Sequence, residues 1–203
     1  MSTQPKNYLT PEQYLEIECK AEFRSEYYQG EMFAMAGASR VHNLAAGNAA
    51  DHLRHQLRQG TCEVYQADMR VRVGTSGLYT YPDVVVACGP QFADEQQCTL
   101  LNPVLIVEVL SPSTEAYDRG AKFQHYRAIP SLREYLLVAS ERMEVELRRL
   151  QPDGEWIILK SLDRLEDVVE LLSIGCRLSL DDLYKRVEFG ERGPGARPLG
   201  GPS

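Results

Sequence analysis

The sequence predicts a mixed α/β fold whose core runs in the order α-β-β-β-α-β, and three observations carry that prediction. Two stretches, Tyr81 to Cys88 and Val104 to Leu110, are near-continuously apolar, as strands covered on both faces are. A helical pattern stands on each side of them, from Ser39 to about Gln59 and from Asp118 to Ala128. A third apolar run, Glu134-Tyr135-Leu136-Leu137-Val138, follows the second helix, so the chain alternates strand and helix around sandwiched central strands.

Taken in order, Thr10-Pro11-Glu12-Gln13 starts a helix: a hydroxyl cap, proline at the first helical position and Gln13 to close a capping box. Glu26 to Phe33 reads as two short strands around a Gln29-Gly30 turn, an added N-terminal hairpin. Leu44, Ala45, Asn48, His52 and Leu57 fall near one face of the long helix, which Gly60 stops. Cys62 to Tyr65 and Met69 to Val73 alternate as half-exposed strands do. Residues 89–101 read as a polar loop, and Pro130 ends the second helix. Val145 to Leu150 and Trp156 to Leu162 form a hairpin around Pro152-Asp153-Gly154, a strand near Val168 to Leu172 completes a C-terminal β-meander, and Ser179-Leu180-Asp181-Asp182 begins a last short helix. One domain over residues 1–189 and a disordered Gly/Pro-rich tail over 190–203 are expected.

Composition narrows the function. With 203 residues, 43% hydrophobic and 25% charged, the chain suits a globular domain that needs no staples. No apolar run approaches the roughly 20 residues of a membrane span, and the first residues lack the pattern of a signal peptide, so a cytoplasmic protein is expected. Five scattered cysteines, none in a Cys-x-x-Cys pair, argue against a zinc cluster or disulfide framework and for small buried hydrophobes in a reducing compartment. A net charge of −7 speaks against a broad, non-specific nucleic-acid binder, whose affinity comes from basic surface.

Two carboxylates stand out against their apolar surroundings. Asp83 lies in Tyr81-Pro82-Asp83-Val84-Val85-Val86-Ala87, and Glu108 interrupts Val104-Leu105-Ile106-Val107-Glu108-Val109-Leu110. Carboxylates are seldom buried unless something pairs with or coordinates them. One on each of two neighbouring strands, at the same end of a sheet, cradles a divalent cation, because magnesium takes one or two carboxylates with water and phosphate filling its octahedron. Lys122, on the following helix, supplies an ammonium for the charge that grows on phosphorus. Asp, Glu and Lys in this order point to metal-assisted phosphodiester hydrolysis. Each residue also has a structural reading: Asp83 accepting bonds at a strand end, Glu108 in an ion pair, Lys122 paired with Asp118 one turn back.

The order of these residues resembles the PD-(D/E)XK nuclease superfamily, with Pro82-Asp83 as the literal "PD". Within it the chain is similar to the Uma-type family of restriction-endonuclease-like proteins from about Tyr8 to Phe189. The marks are Glu26-x-x-x-Gly30-Glu31 with Met35, His42 opening the long helix, Pro82-Asp83-Val84, Val107-Glu108-Val109-Leu110-Ser111-Pro112-Ser113-Thr114, and Asp118-x-x-x-Lys122-x-x-x-Tyr126 before Glu134-Tyr135. The resemblance implies a restriction-endonuclease-like core and a magnesium- or manganese-dependent endonuclease acting on DNA; a homodimer is expected because double-strand cleavage needs two active sites and symmetric pairs are the commonest oligomer. The resemblance places the metal on Asp83 and Glu108, with Lys122, Glu26 and His42 as further catalytic residues. The superfamily's lysine stands two positions after the strand glutamate; that position here is Leu110, so Lys122 has to reach in from its helix. Two rival readings are a catalytically inactive nucleic-acid- or protein-binding module on the same fold, and a phosphodiesterase acting on a small nucleotide, which suits the acidic balance better.

Overall fold

The computed structural model describes residues 8–189, so the tail expected over 190–203 lies outside the described residues. Helix α1 (Pro11–Glu18) begins with the expected capping box, Thr10 and Gln13 each satisfying the other's backbone N–H. It leads to the hairpin β1 (Ser25–Tyr28) and β2 (Glu31–Ala34) and then to the long helix α2 (Arg40–Leu57), capped by the Ser39 hydroxyl. Strands β3 (Cys62–Gln66), β4 (Arg70–Val73), β5 (Leu78–Thr80), β6 (Val84–Cys88), β7 (Thr99–Leu100) and β8 (Leu105–Leu110) follow. A helical segment comes next in three pieces: α3 (Glu115–Tyr117), a π-helical turn (Asp118–Lys122) and α4 (Phe123–Tyr126). The chain closes with β9 (Glu134–Ala139), β10 (Val145–Leu150), β11 (Trp156–Leu162), β12 (Val168–Leu171), β13 (Cys176–Ser179) and α5 (Leu180–Leu183).

The central sheet has six strands in the order β11-β10-β9-β8-β6-β3, with β8 and β9 parallel and the other neighbours antiparallel. Side chains alternate across it. Val84, Val86, Val107 and Val109 meet Ala45, Ala46, Ala49, Ala50 and Leu53 of α2, whose small residues let the helix lie close. Val85, Ala87, Ile106 and Leu110 face the other way, onto Phe123, Tyr126, Leu132 and the second sheet, which runs β2-β1-β5-β4-β7. Glu108 shares the parity of Ile106 and Leu110, so the period of two aims it at the helical side and away from α2. Both faces are covered, as the unbroken apolar runs require.

Several expectations need correction. The run from Tyr81 to Cys88 is not one strand: Tyr81-Pro82-Asp83 separates β5 from β6, and Pro82 has no N–H to give a ladder. Residues 78–80, for which no element was expected, are the buried strand β5, and the loop of 89–101 contains the short β7. The C-terminal meander stops at β11, because β12 pairs with the unforeseen β13 in a sheet of two strands.

The cysteines also depart from expectation. Cys62 and Cys88 form a disulfide, Cys19 and Cys98 are exposed, and only Cys176 is buried. The bonded pair stands directly opposite in the β3–β6 register, a proximity that sequence spacing of 26 residues conceals. Among the described residues no helix is long and apolar enough to cross a membrane.

An ion-pair network ties α3 to β10. Glu115 accepts from Arg119 at 2.9 Å and Arg142 at 2.7 Å, and Arg119 also reaches Glu144 and Glu146. Hydrogen bonds from Arg142 and Arg119 hold the Glu115 carboxyl down to about 2, below its ordinary 4.5. A depressed carboxyl contributes stability that is full above the unfolded value and is lost as pH falls through the folded one. The denaturation midpoint should therefore drop between about pH 4.5 and pH 2. Glu115→Gln should flatten that part of the profile, and an unchanged profile in urea titrations would contradict this role.

Candidate active site

Strand geometry brings the two singled-out carboxylates together. β6 and β8 are antiparallel, so Asp83, just before β6, and Glu108, near the end of β8, sit at the same end of the sheet. The β6–β8 ladder stops at Val84↔Val107, which frees the next backbone groups for side chains. The N–H of Val109 donates to Asp83 Oδ2 at 2.7 Å, and the N–H of Asp83 lies 3.4 Å from Glu108 Oε2. Each acid is thus tied to the strand of the other.

The remaining predicted residues converge on this pair from three other elements. Lys122 Nζ lies 2.9 Å from Glu108 Oε1, 3.3 Å from Glu26 Oε1 and 3.5 Å from Asp118 Oδ1. The ammonium does reach in from the helix, while Leu110, where the superfamily pattern has its lysine, is a buried core residue. The pair with Asp118 exists, but in the interior and not on an exposed helix face as the structural reading had it. A π-helical turn spans these two residues, a local widening common at functional sites. His42, in the first turn of α2, places Nε2 3.2 Å from Asp83 Oδ2. Its Nδ1 is buried without a hydrogen-bond partner among the described residues.

Three members of the site had no role assigned to them from the sequence, although Asp118 and Tyr126 stand among the family marks. Tyr126 donates its phenolic proton to Glu108 Oε1 at 2.8 Å, Thr80 donates to Glu26 Oε1, and Asp118 joins Lys122 as above. The four-residue spacing Asp118, Lys122, Tyr126 was a signal, since it places all three on one helical face. Thr80 had none, because its partner Glu26 lies 54 positions away.

Burial dominates the electrostatics. It is the main cause that pushes the Glu108 carboxyl up to about 8; Lys122 opposes it, while Asp83 and Asp118 add to it. Asp118 is raised too, first by burial. Lys122 is held well above the usual lysine range: burial works against its charge, but Glu108, Glu26 and Asp118 outweigh it. One arrangement explains all of these shifts. Lys122 keeps its proton because the neighbouring carboxylates outweigh its burial, while burial makes Glu108 and Asp118 bind protons more readily even though Lys122 opposes it. His42 is likewise raised, because the Asp83 hydrogen bond and charge, helped by the Val109 carbonyl, overcome its burial.

The group lies in an open cleft of about 1060 Å³ lined by both strand ends, the start of α2 and the segment Ser111 to Thr114. The ion pairs engage Asp83 Oδ2 and Glu108 Oε1; the second oxygen of each meets no cationic side chain among the described residues. Two carboxylate oxygens are donors that suit magnesium or manganese, which complete an octahedron with water and substrate. Among the described residues no cluster of three or more His, Cys, Asp or Glu is placed to hold a metal ion, so any ion here would rest on these two carboxylates, water and substrate.

Comparison with known proteins agrees with this architecture. The uncharacterized protein slr1290 of Synechocystis sp. is 39% identical over 181 residues, covering 89% of this chain and 94% of that protein. The uncharacterized protein sll1609 of the same organism is 40% identical over 151 residues, covering 74% of this chain and 85% of the relative. The crystal structure of "a putative nuclease belonging to DUF820" from Anabaena variabilis superposes with a TM-score of 0.69, over 87% of this chain and 97% of that one. At 19% identity this likeness shows the fold, a restriction-endonuclease-like one. The family model Uma2, described as "Putative restriction endonuclease", matches residues 11–181, and the chain belongs to the Uma2 family.

Proposed function

We propose that the protein is a magnesium- or manganese-dependent endonuclease that hydrolyses phosphodiester bonds in DNA. One observation carries this: at one end of two adjacent strands, in an open cleft, the Asp83 carboxylate accepts from Val109 N–H and the Glu108 carboxylate lies 3.4 Å from Asp83 N–H, each with one oxygen clear of cationic side chains among the described residues. Asp83 and Glu108 would hold the divalent ion, which would supply positive charge toward the phosphate and lower the pKa of a bound water.

The chain's own residues prepare that site. Val109 N–H and His42 hold Asp83 by Oδ2. Lys122 and Tyr126 hold Glu108 by Oε1. Lys122 has only 8% of its side chain exposed and is engaged by three carboxylates, so we assign it to charge balance and to orienting Glu108 before any contact with a nucleophile. Glu26 shares Lys122 and acts through it. His42 orients Asp83 through Nε2. A homodimer, giving two such sites for two strands, belongs to the same reading.

One feature favours the small-nucleotide alternative. Six carboxylates line the cleft (Glu26, Asp83, Glu108, Asp118, Glu141 and Glu188), while Lys122 and Arg142 are already ion-paired. Duplex DNA draws much of its affinity from basic surface. Supercoiled plasmid, single-stranded DNA and nucleotide diesters should therefore be assayed side by side with Mn²⁺ and with chelator. Metal-dependent nicking of DNA is expected. Turnover of nucleotide diesters alone moves the assignment to the phosphodiesterase, and no turnover despite metal binding moves it to the inactive module.

A further inference from the structure

We infer that Tyr126, supported by Thr80, is a positioning residue that makes Glu108 offer one oxygen, not two, to a divalent cation, so that the site discriminates against calcium. The inference rests on the reading of Asp83 and Glu108 as metal ligands.

The argument is a count of protons. Tyr126 and Thr80 are fully buried, and their hydroxyl oxygens lie 3.3 Å apart. Each hydroxyl has one proton to give. Thr80 directs its proton to Glu26 Oε1, so the Tyr126 proton goes to Glu108 Oε1, at 2.8 Å. Lys122 closes the ring by contacting the same two carboxylate oxygens, at 3.3 Å and 2.9 Å. Glu108 Oε1 therefore carries two donors from side chains that are nearly devoid of solvent contact. Rotating the carboxylate to chelate an ion through both oxygens would break both bonds, in a place where no water replaces them.

Asp83 is restrained in parallel, with Oδ2 taken by Val109 N–H and His42. Two carboxylates confined to one oxygen each suit a small octahedral ion. Calcium takes six to eight oxygens, often with carboxylates bound through both, and gains less from such a pair. Partners that orient a metal ligand typically contribute 10–100-fold to affinity.

The test is calorimetric titration of the full chain with MnCl₂ and with CaCl₂, for the wild type, Tyr126→Phe and Tyr184→Phe. Tyr184 is a control: its hydroxyl donates to the backbone, with the carbonyls of Glu144 at 2.8 Å and Ala139 at 3.0 Å as acceptors for its one proton, away from the carboxylates. The wild type should bind Mn²⁺ more tightly than Ca²⁺. Tyr126→Phe should lose about tenfold or more in Mn²⁺ affinity while Ca²⁺ affinity holds or rises. Tyr184→Phe should lower the thermal midpoint and leave the ratio alone. If Tyr126→Phe does not fold, Thr80→Val should shift the ratio the same way by a smaller factor. A Mn²⁺-to-Ca²⁺ ratio that stays unchanged in the Tyr126 or Thr80 variant overturns the inference and leaves the metal site standing. Absence of Mn²⁺ binding to the wild type overturns the metal site, and the inference with it.

Discussion

Glu108→Gln should cut metal-dependent phosphodiester cleavage by about a thousandfold or more, in a protein that still folds. The amide keeps the shape of the side chain, and its oxygen can still accept from Lys122 and Tyr126, so the sheet packing around Ile106 and Leu110 has no reason to change. What disappears is the negative charge at the oxygen nearest Asp83 N–H. Asp83→Asn should behave alike, because its Oδ2 bond to Val109 N–H survives while the charge is lost. Initial rates of plasmid nicking at saturating Mn²⁺, with thermal midpoints alongside, measure both parts of the expectation. Cleavage that survives both substitutions places the chemistry elsewhere.

Lys122→Met should be the most destabilising conservative change in the site, costing about 3–5 kcal/mol, because it strands buried carboxylates without their cation. Glu108 and Asp118 have 4% and 6% of their side chains exposed, and Glu26 lies beside them at 14%, so solvent relieves little of the repulsion. The pH dependence has a definite sign. A carboxyl whose folded value is raised, as that of Glu108 is to about 8, favours the folded state when protonated, and stability declines as pH rises from the ordinary 4.5 toward 8. Without Lys122 the folded value climbs further, so the loss should be larger at pH 8.5 than at pH 5.5. Urea denaturation of both proteins at the two pH values is the measurement. A loss below about 1 kcal/mol at the higher pH, the scale of an exposed ion pair, would show that Lys122 is not the cation that balances this cluster. Added Mn²⁺ should restore more stability to the variant than to the wild type, since binding to the native state alone stabilises it.

Much of this was legible in the sequence, for physical reasons particular to certain residues. The runs around Val84 to Ala87 and Val104 to Leu110 announced strands with no wet face, and both lie in the middle of the sheet. A charged residue inside such a run has to be accounted for, which is why Asp83 and Glu108 could be singled out and why they do meet. That the Lys122 ammonium has to reach in from its helix was legible too, but its partner Glu108 was not: the sequence offered only Asp118, one turn back. The break at Tyr81-Pro82-Asp83 was legible in principle, since a proline without an N–H seldom stands inside a central strand, but the apolar run masked it.

Other features were hidden because they exist only across elements. The facing of Cys62 and Cys88 follows from the β3–β6 register, which no local spacing encodes. β13 is four residues long and gains its place by pairing with β12. Thr80 and Tyr126 look like ordinary strand and helix residues until folding brings Glu26 and Glu108 to them.

The proposed activity requires one divalent cation between Asp83 and Glu108. Anomalous diffraction from crystals soaked in MnCl₂ tests it most directly. One strong manganese peak is expected about 2.0–2.4 Å from a single oxygen of each carboxylate, with Lys122 and Tyr126 still bound to the opposite oxygen of Glu108. A peak lodged elsewhere in the cleft, or no peak in crystals whose protein nicks DNA in the same buffer, would contradict it.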